Sequence, residues 1–187
     1  MCGGIKRYHD IEQVAHIFQA TIPFTSGDAL APVGEHLRSG SPLIAVVQKT
    51  NRVLSILKWG IPARPDSAPL VNARYETIHV RPTWQPLIGN RCIIPVDGFL
   101  EESTWLSSYN KDEMLALAGI YTGRQQVVIL TQPADEGIRH IHDRMPLILP
   151  ADLWQKWIDP AFGKRSFSTD LWALAREAGR YEIPLVA

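Results

Sequence analysis

Cys2 is the residue whose type and position could do the most chemistry in this sequence. Once Met1 is removed it leads the chain, and a leading cysteine carries an α-amine and a thiol on adjacent carbons. The amine has a reference pKa of about 7.7–8.0, so part of it is an unprotonated nucleophile near neutral pH. The thiol, at about 8.5, is readily activated. Such a 1,2-aminothiol has two uses. It can attack an amide as an N-terminal nucleophile. It can also condense with an aldehyde to an imine, which the thiol then closes into a thiazolidine ring. Gly3 and Gly4 follow, and residues without a Cβ let the backbone approach another surface closely. Position alone equally allows a frayed terminus with no role.

Four other segments hold chemically capable side chains: KWGIP (58–62), NARYE (72–76), NRCIIPVDGFLEE (90–102) and IHDRMPLIL (141–149). Elements of both kinds must position them. Asp10 is a plausible N-cap for a helix carrying Ile11, Val14, Ala15 and Phe18 at i, i+3, i+4 and i+7 spacing. A second helix is expected at Ala151–Ile158. A third is expected from near Ser168 or Thr169 through Leu171, Leu174 and Ala175 to a stop at Gly179. Strand-like runs are Leu43–Gln48, Arg52–Leu57, Arg91–Val96, Leu115–Tyr121, Gln126–Leu130 and Leu147–Leu149, and the short link KTN makes the first two a hairpin. Strands in the middle and helices towards the ends predict an α+β fold, with a bent, barrel-like, mostly antiparallel sheet flanked by helices.

The 187 residues favour a single domain spanning 1–187. Nineteen basic and nineteen acidic residues cancel, which excludes the whole-chain basic signature of a histone-like binder. Charge is nevertheless uneven. From His36 to Val96 eight bases face two acids, whereas Asp97–Glu113 holds five acids and one base. A basic face and a scatter of solvated bases both fit that pattern. Two cysteines, Cys2 and Cys92, cannot build a disulfide scaffold or a Cys-rich zinc site. The six histidines lack metal-ligand spacing, so neither metal nor cofactor is expected. No apolar run reaches a membrane span and no signal peptide is evident, which makes a cytoplasmic, membrane-independent protein the expectation, and a monomer is expected because no large apolar surface helix is evident.

MCGG, KWGIP, NARYE, RCIIPVDGFLEE, LAGIY and IHDRMP occur in that order between Met1 and about Leu149. Together they resemble the SOS response-associated peptidase (SRAP) family, whose versions read approximately MCGR, WGLIP, NARAET, RCLIPADGFYEW, FAGLW and IHDRMP. The resemblance implies a compact α+β protein that removes its own Met1. It implies that the exposed Cys2 then forms a thiazolidine crosslink with the ring-opened aldehyde of an abasic site in single-stranded DNA. By motif match Cys2 is the nucleophile and Asn72 hydrogen-bonds near its amine and the opened sugar. Glu101 assists Met1 removal and proton transfer, and His142 is acid/base on the sugar ring oxygen. Arg74 and Arg144 contact phosphates, and Gly3 and Trp59 belong to the DNA-binding set.

Those roles suit the side chains. Imidazole is a fitting proton donor to a ring oxygen, a half-buried carboxylate can shuttle protons during imine formation, and guanidinium forks match phosphate oxygens. Plainer readings stand beside them. Asn72 could cap a turn, Glu101 could be half of a solvated pair with Glu102 acting instead, and His142 could be a core residue. Trp59 could be core as readily as a base-stacking wedge. The aminothiol could instead serve a peptidase acting in trans, or the basic stretch could make a non-catalytic single-strand binder. Two departures bear on DNA: Gly4 stands where the family has arginine, and Glu102 where it has an aromatic.

Overall fold

The computed structural model describes residues 2–24, 33–63, 67–110, 113–162 and 185–186, together with Ala173 and Glu177. The predicted third helix lies outside the described residues except at those last two positions. In chain order the strands are β1 (Gly4–Arg7), β2 (Gly34–Leu37), β3 (Pro42–Gln48), β4 (Arg52–Trp59), β5 (Asn72–Arg74), β6 (Arg91–Val96), β7 (Gly98–Glu101), β8 (Thr104–Ser108), β9 (Leu115–Tyr121), β10 (Gln126–Pro133), β11 (Arg144–Pro146) and β12 (Leu185–Val186). The α-helices are α1 (Ile11–Phe18) and α2 (Trp154–Ile158), the latter led in by a 3₁₀ turn at Ala151–Leu153.

Helix α1 begins where its sequence says it should. The Asp10 carboxylate accepts from the Gln13 backbone N–H at 2.8 Å, and the Gln13 side chain accepts from the Asp10 N–H at 2.8 Å. This reciprocal capping satisfies two otherwise orphaned donors. Gln19, at φ 50°, ends the helix. Val14 and Phe18 face inward, and Phe18 stacks on Trp154 with centroids 4.3 Å apart.

One sheet runs β12-β8-β7-β1-β2 and the other β11-β10-β4-β3-β6-β9. In the second, β10 also pairs with β9, so β3, β4, β10, β9 and β6 form a closed circuit of pairings. This is the bent, largely antiparallel sheet the sequence predicts; only β10 with β4 and with β5 runs parallel. The β3–β4 hairpin keeps an unbroken register from Pro42↔Lys58 to Gln48↔Arg52 across Lys49–Asn51. Both faces of the central strands are covered, which is why their sequences read as continuous apolar runs. Ile44 and Val46 join a cluster with Phe18, Ile88 and Trp157. Leu43, Ala45 and Val47 join another with Cys2, Ile5, Trp59 and Phe99.

Two expectations need correcting. The strand predicted at Leu147–Leu149 forms earlier, at Arg144–Pro146, because those residues pair with Thr131–Pro133 of β10. Beyond it Ile148 makes a single bridge to Leu117. Arg91 also contributes no charge to a basic face. Its buried guanidinium donates to the carbonyls of Ile88, Trp157, Asp159 and Phe162, clamping α2 to β6. No helix among the described residues is long and apolar enough to cross a membrane.

Candidate active site around Cys2

Strand β1 delivers Cys2. It pairs antiparallel with β7 in the register Gly4↔Leu100 and Ile5↔Phe99, and the Gly3 N–H donates to the Leu100 carbonyl at 3.1 Å. Continuing that register by one step sets Gly3 opposite Glu101, where β7 turns into β8, with Cys2 the next residue along. Gly98 makes the β1–β7–β8 alignment possible. A Cβ there would fall 2.5 Å from Lys6 Cε and 2.7 Å from the Leu106 carbonyl oxygen. Gly98 is therefore a point of close approach between strands.

Cys2 is fully buried, its thiol 3.5 Å from the Gly4 carbonyl oxygen. Burial pushes the thiol pKa up, and the negative field of Glu101 adds to the rise. Asn72 opens β5, which lies parallel to β10 with Asn72 opposite Ile129. Its Nδ2 donates to the Cys2 carbonyl at 3.0 Å. Its Oδ1 is buried and has no hydrogen-bond partner among the described residues, so a free acceptor lies on the side chain that holds the Cys2 backbone.

Glu101 is also fully buried. Burial raises its carboxyl pKa, the charge of Glu102 raises it further, and the proximity of His142 pulls it partly back. His142 enters from the segment before β11. Its Nδ1 lies 3.8 Å from Glu101 Oε1 and 3.0 Å from Asp143 Oδ1, and its Nε2 lies 3.8 Å from Glu102 Oε1. The Arg144 backbone N–H donates to Nδ1 at 2.8 Å.

The structure thus brings Cys2, Asn72, Glu101 and His142 together from four separate parts of the chain. Gly3, beside them, is exposed. Arg74 is exposed at the end of β5, two residues from Asn72 and so on the same face of the strand. Trp59 and Arg144 stand apart from that picture. Trp59 is 1% exposed and its indole N–H donates to the Val71 carbonyl at 3.0 Å. A base-stacking platform needs an open ring face, so here Trp59 is a core residue. Arg144 is buried, with both arms of its fork on the Glu76 carboxylate and one also on Thr131. Its head is committed inside the protein.

Two carboxylates have no defined role in the sequence, Glu76 and Asp143, and Glu102 enters there only as an alternative to Glu101. Glu76 lies in the NARYE segment, and its being one of only two acids among the eight bases of the 36–96 stretch is the available signal. Glu102 adopts φ 54° in the β7–β8 turn, a left-handed conformation uncommon outside glycine.

A cysteine at position two, set beside an amide side chain, a buried carboxylate and an imidazole on a curved α+β framework, fits a cysteine-dependent condensing or hydrolysing protein. The chain belongs to the SOS response associated peptidase (SRAP) family, whose sequence model matches residues 1–183. It is 31% identical to the abasic site processing protein YoaM of Bacillus subtilis, over 86% of this chain and 80% of that protein. It is 28% identical to abasic site processing protein YoqW of Bacillus phage SPbeta, over 86% and 81%. It is 27% identical to abasic site processing protein YedK of Escherichia coli, over 84% and 79%. Among solved structures, a phage-related protein from Bordetella bronchiseptica shares the fold with a TM-score of 0.71 at 24% identity, covering 99% of this chain and 92% of that one. A protein from Bacteroides thetaiotaomicron matches with a TM-score of 0.71 at 17% identity, covering 91% and 86%.

Proposed function

We propose that this protein processes abasic sites, removing its own Met1 and then joining Cys2 covalently to the lesion in single-stranded DNA. Hydrolysis of the Met1–Cys2 peptide bond consumes one water and frees the Cys2 amine. His142 protonates the sugar ring oxygen as the C1′–O bond opens to the aldehyde. The amine attacks C1′ and forms a C–N bond, and a proton passes from nitrogen to the former carbonyl oxygen. Loss of that oxygen as water leaves an imine. The thiol then adds across the C=N bond: sulfur bonds to C1′ and its proton goes to nitrogen. The sum is aldehyde plus aminothiol to thiazolidine plus water, with no oxidant or reductant.

Glu101 suits the proton transfers, because a carboxyl group whose pKa is raised by burial can hold and release a proton nearer neutral pH. Asn72 holds the Cys2 carbonyl and offers Oδ1 to the amine or the opened sugar. Arg74 takes a neighbouring phosphate, and Gly3 lets the DNA backbone come close. The convergence of Cys2, Asn72, Glu101 and His142 carries this reading, together with the likeness to abasic site processing proteins. An intact nucleotide offers no aldehyde at C1′, so the lesion supplies the selectivity.

Intact mass of the purified protein, before and after incubation with an abasic oligonucleotide, tests it in one experiment. Loss of the Met1 mass, followed by an adduct equal to protein plus DNA minus water and absent in Cys2→Ala, is expected. A retained Met1 with no adduct would sink the proposal. So would turnover of a peptide in trans with no reaction on DNA.

A further inference from the structure

Arg144 does not present its guanidinium to solvent; it ties two segments together around His142. Glu76 and Arg144 are joined in a two-pronged ion pair, NH1 to Oε1 and NH2 to Oε2, the latter at 2.9 Å. NH2 also donates to the Thr131 carbonyl at 2.8 Å and to its hydroxyl at 3.2 Å. The Glu76 segment following β5, strand β10 and strand β11 therefore meet at one buried cation. Burial alone would raise the Glu76 carboxyl pKa, but the hydrogen bonds and charge of Arg144, with the charge of Arg74, hold it below the usual range. Glu76 is thus ionised at neutral pH and keeps the fork paired. A fork–fork pair fixes direction as well as distance.

The consequence falls on the imidazole. The backbone N–H of this same Arg144 donates to His142 Nδ1 at 2.8 Å. Two acceptors compete for that nitrogen, Asp143 Oδ1 at 3.0 Å and the Arg144 carbonyl oxygen, longer at 3.2 Å. A main-chain N–H has no other role than donor, whereas the Asp143 side chain is 81% exposed and water can take its place. Nδ1 then accepts, and the neutral ring carries its proton on Nε2. That tautomer leaves Nε2–H, on the Glu102 side of the ring, as the ring's donor.

Resting on the proposed abasic-site reading, we infer that Glu76 is a positioning residue: through Arg144 it fixes the segment that orients and tautomerises His142. It touches neither substrate nor nucleophile. A residue acting at this remove lowers the rate of the chemical step, commonly by about 10- to 100-fold, and leaves the hold on intact DNA unchanged.

Glu76→Gln keeps the shape and removes the charge, and it gives three readouts on the full-length protein. The side-chain ¹⁵N shifts of His142 should lose the pattern of an Nε2–H ring. Crosslinking at saturating abasic oligonucleotide should slow by about 10- to 100-fold. Affinity for an undamaged oligonucleotide, and its salt dependence, should stay as in the unaltered protein. An unchanged His142 signature overturns the inference. So does tighter, more salt-sensitive binding of undamaged DNA with an unchanged crosslinking rate, which would make Glu76 a plug on an Arg144 phosphate site. If Glu76→Gln does not fold, Arg144→Lys keeps the cation but not the fork and is expected to give the same His142 and rate effects; normal values there overturn the inference. The His142 spectrum needs no DNA, so failure of the abasic-site reading, seen as no adduct in the unaltered protein, is separable from failure here.

Discussion

Replacing Glu101 by glutamine should weaken catalysis and strengthen the fold at the same time. The side chain is fully buried, close enough to the Cys2 thiol for its charge to raise the thiol pKa, and 3.8 Å from His142 Nδ1. As the proton carrier of imine formation it is worth about 10²–10⁴ in rate. Glu102 can stand in only from the far side of the ring, 3.8 Å from Nε2 and 65% exposed. Its presence places the expected loss towards the lower end, about 10²–10³, or roughly 3–4 kcal/mol of barrier. Stability moves the other way. The folded-state pKa of Glu101 is raised, so above about pH 4.3 the unfolded chain sheds a proton that the folded chain retains. Stability then falls as pH rises towards the folded value, and levels off above it. Glutamine removes that loss. Single-turnover crosslinking at saturating DNA reads the first effect, and thermal melts from pH 4 to 8 read the second. Glu101→Gln should melt above the parent at pH 8, with the gap closing near pH 4. A variant that melts lower at pH 8, or one that crosslinks at the parent rate, would refute the assignment of a buried, proton-holding carboxyl.

Gly4→Arg restores the family's cation where a Cβ meets only ordinary contacts, 3.4 Å from Leu100 Cβ and 3.7 Å from Trp105; the slope of log affinity against log salt for single-stranded DNA should steepen by about 0.7. Gly98→Ala drives a Cβ to 2.7 Å from the Leu106 carbonyl oxygen, which cannot swing aside; urea unfolding should show a loss of about 1–3 kcal/mol. Cys2 and Cys92 are both buried and their thiol pKa values raised by burial; near neutral pH iodoacetamide should label neither in the native protein and both in denaturant. Cys2→Ser keeps the amine but replaces the ring-closing thiol; its adduct should appear on denaturing gels only after borohydride reduction of the imine.

Local features were legible in the sequence because they rest on a few adjacent residues. Asp10 and Gln13 announce a helix start, and KTN joins two apolar runs that could only pair. Asn72, Glu101 and His142 were found through the order of short segments, and their meeting with Cys2 required the sheet to close. What stayed hidden depends on partners distant in sequence. Trp59 offers the same indole to a base or to a core, and only the Val71 carbonyl decides between them. Arg144 reads as a phosphate ligand until Glu76, 68 residues away, is seen to occupy its fork. The β11 strand was placed three residues late because Leu147–Leu149 is the more apolar run; Arg144 enters the ladder with its charge already paired. A buried ion pair reads in sequence as two surface charges, which is why the basic stretch looked more basic than the folded protein is.

The placement of the thiol also argues for an order of events within the proposed reaction. A thiol that burial and Glu101 hold protonated is a poor first nucleophile, since the thiolate is the reactive form. The α-amine has no such handicap once Met1 has gone, because part of it is unprotonated near neutral pH. Amine attack at C1′ therefore comes first and the imine precedes the ring. Ring closure then needs no free thiolate: sulfur and the imine carbon are held in one small covalent unit, and proximity replaces ionisation as the source of rate. The same burial that keeps the resting thiol from stray oxidants and alkylating agents thus leaves the amine to start the condensation. It does so only because the nucleophile that starts the reaction and the one that finishes it belong to the same residue.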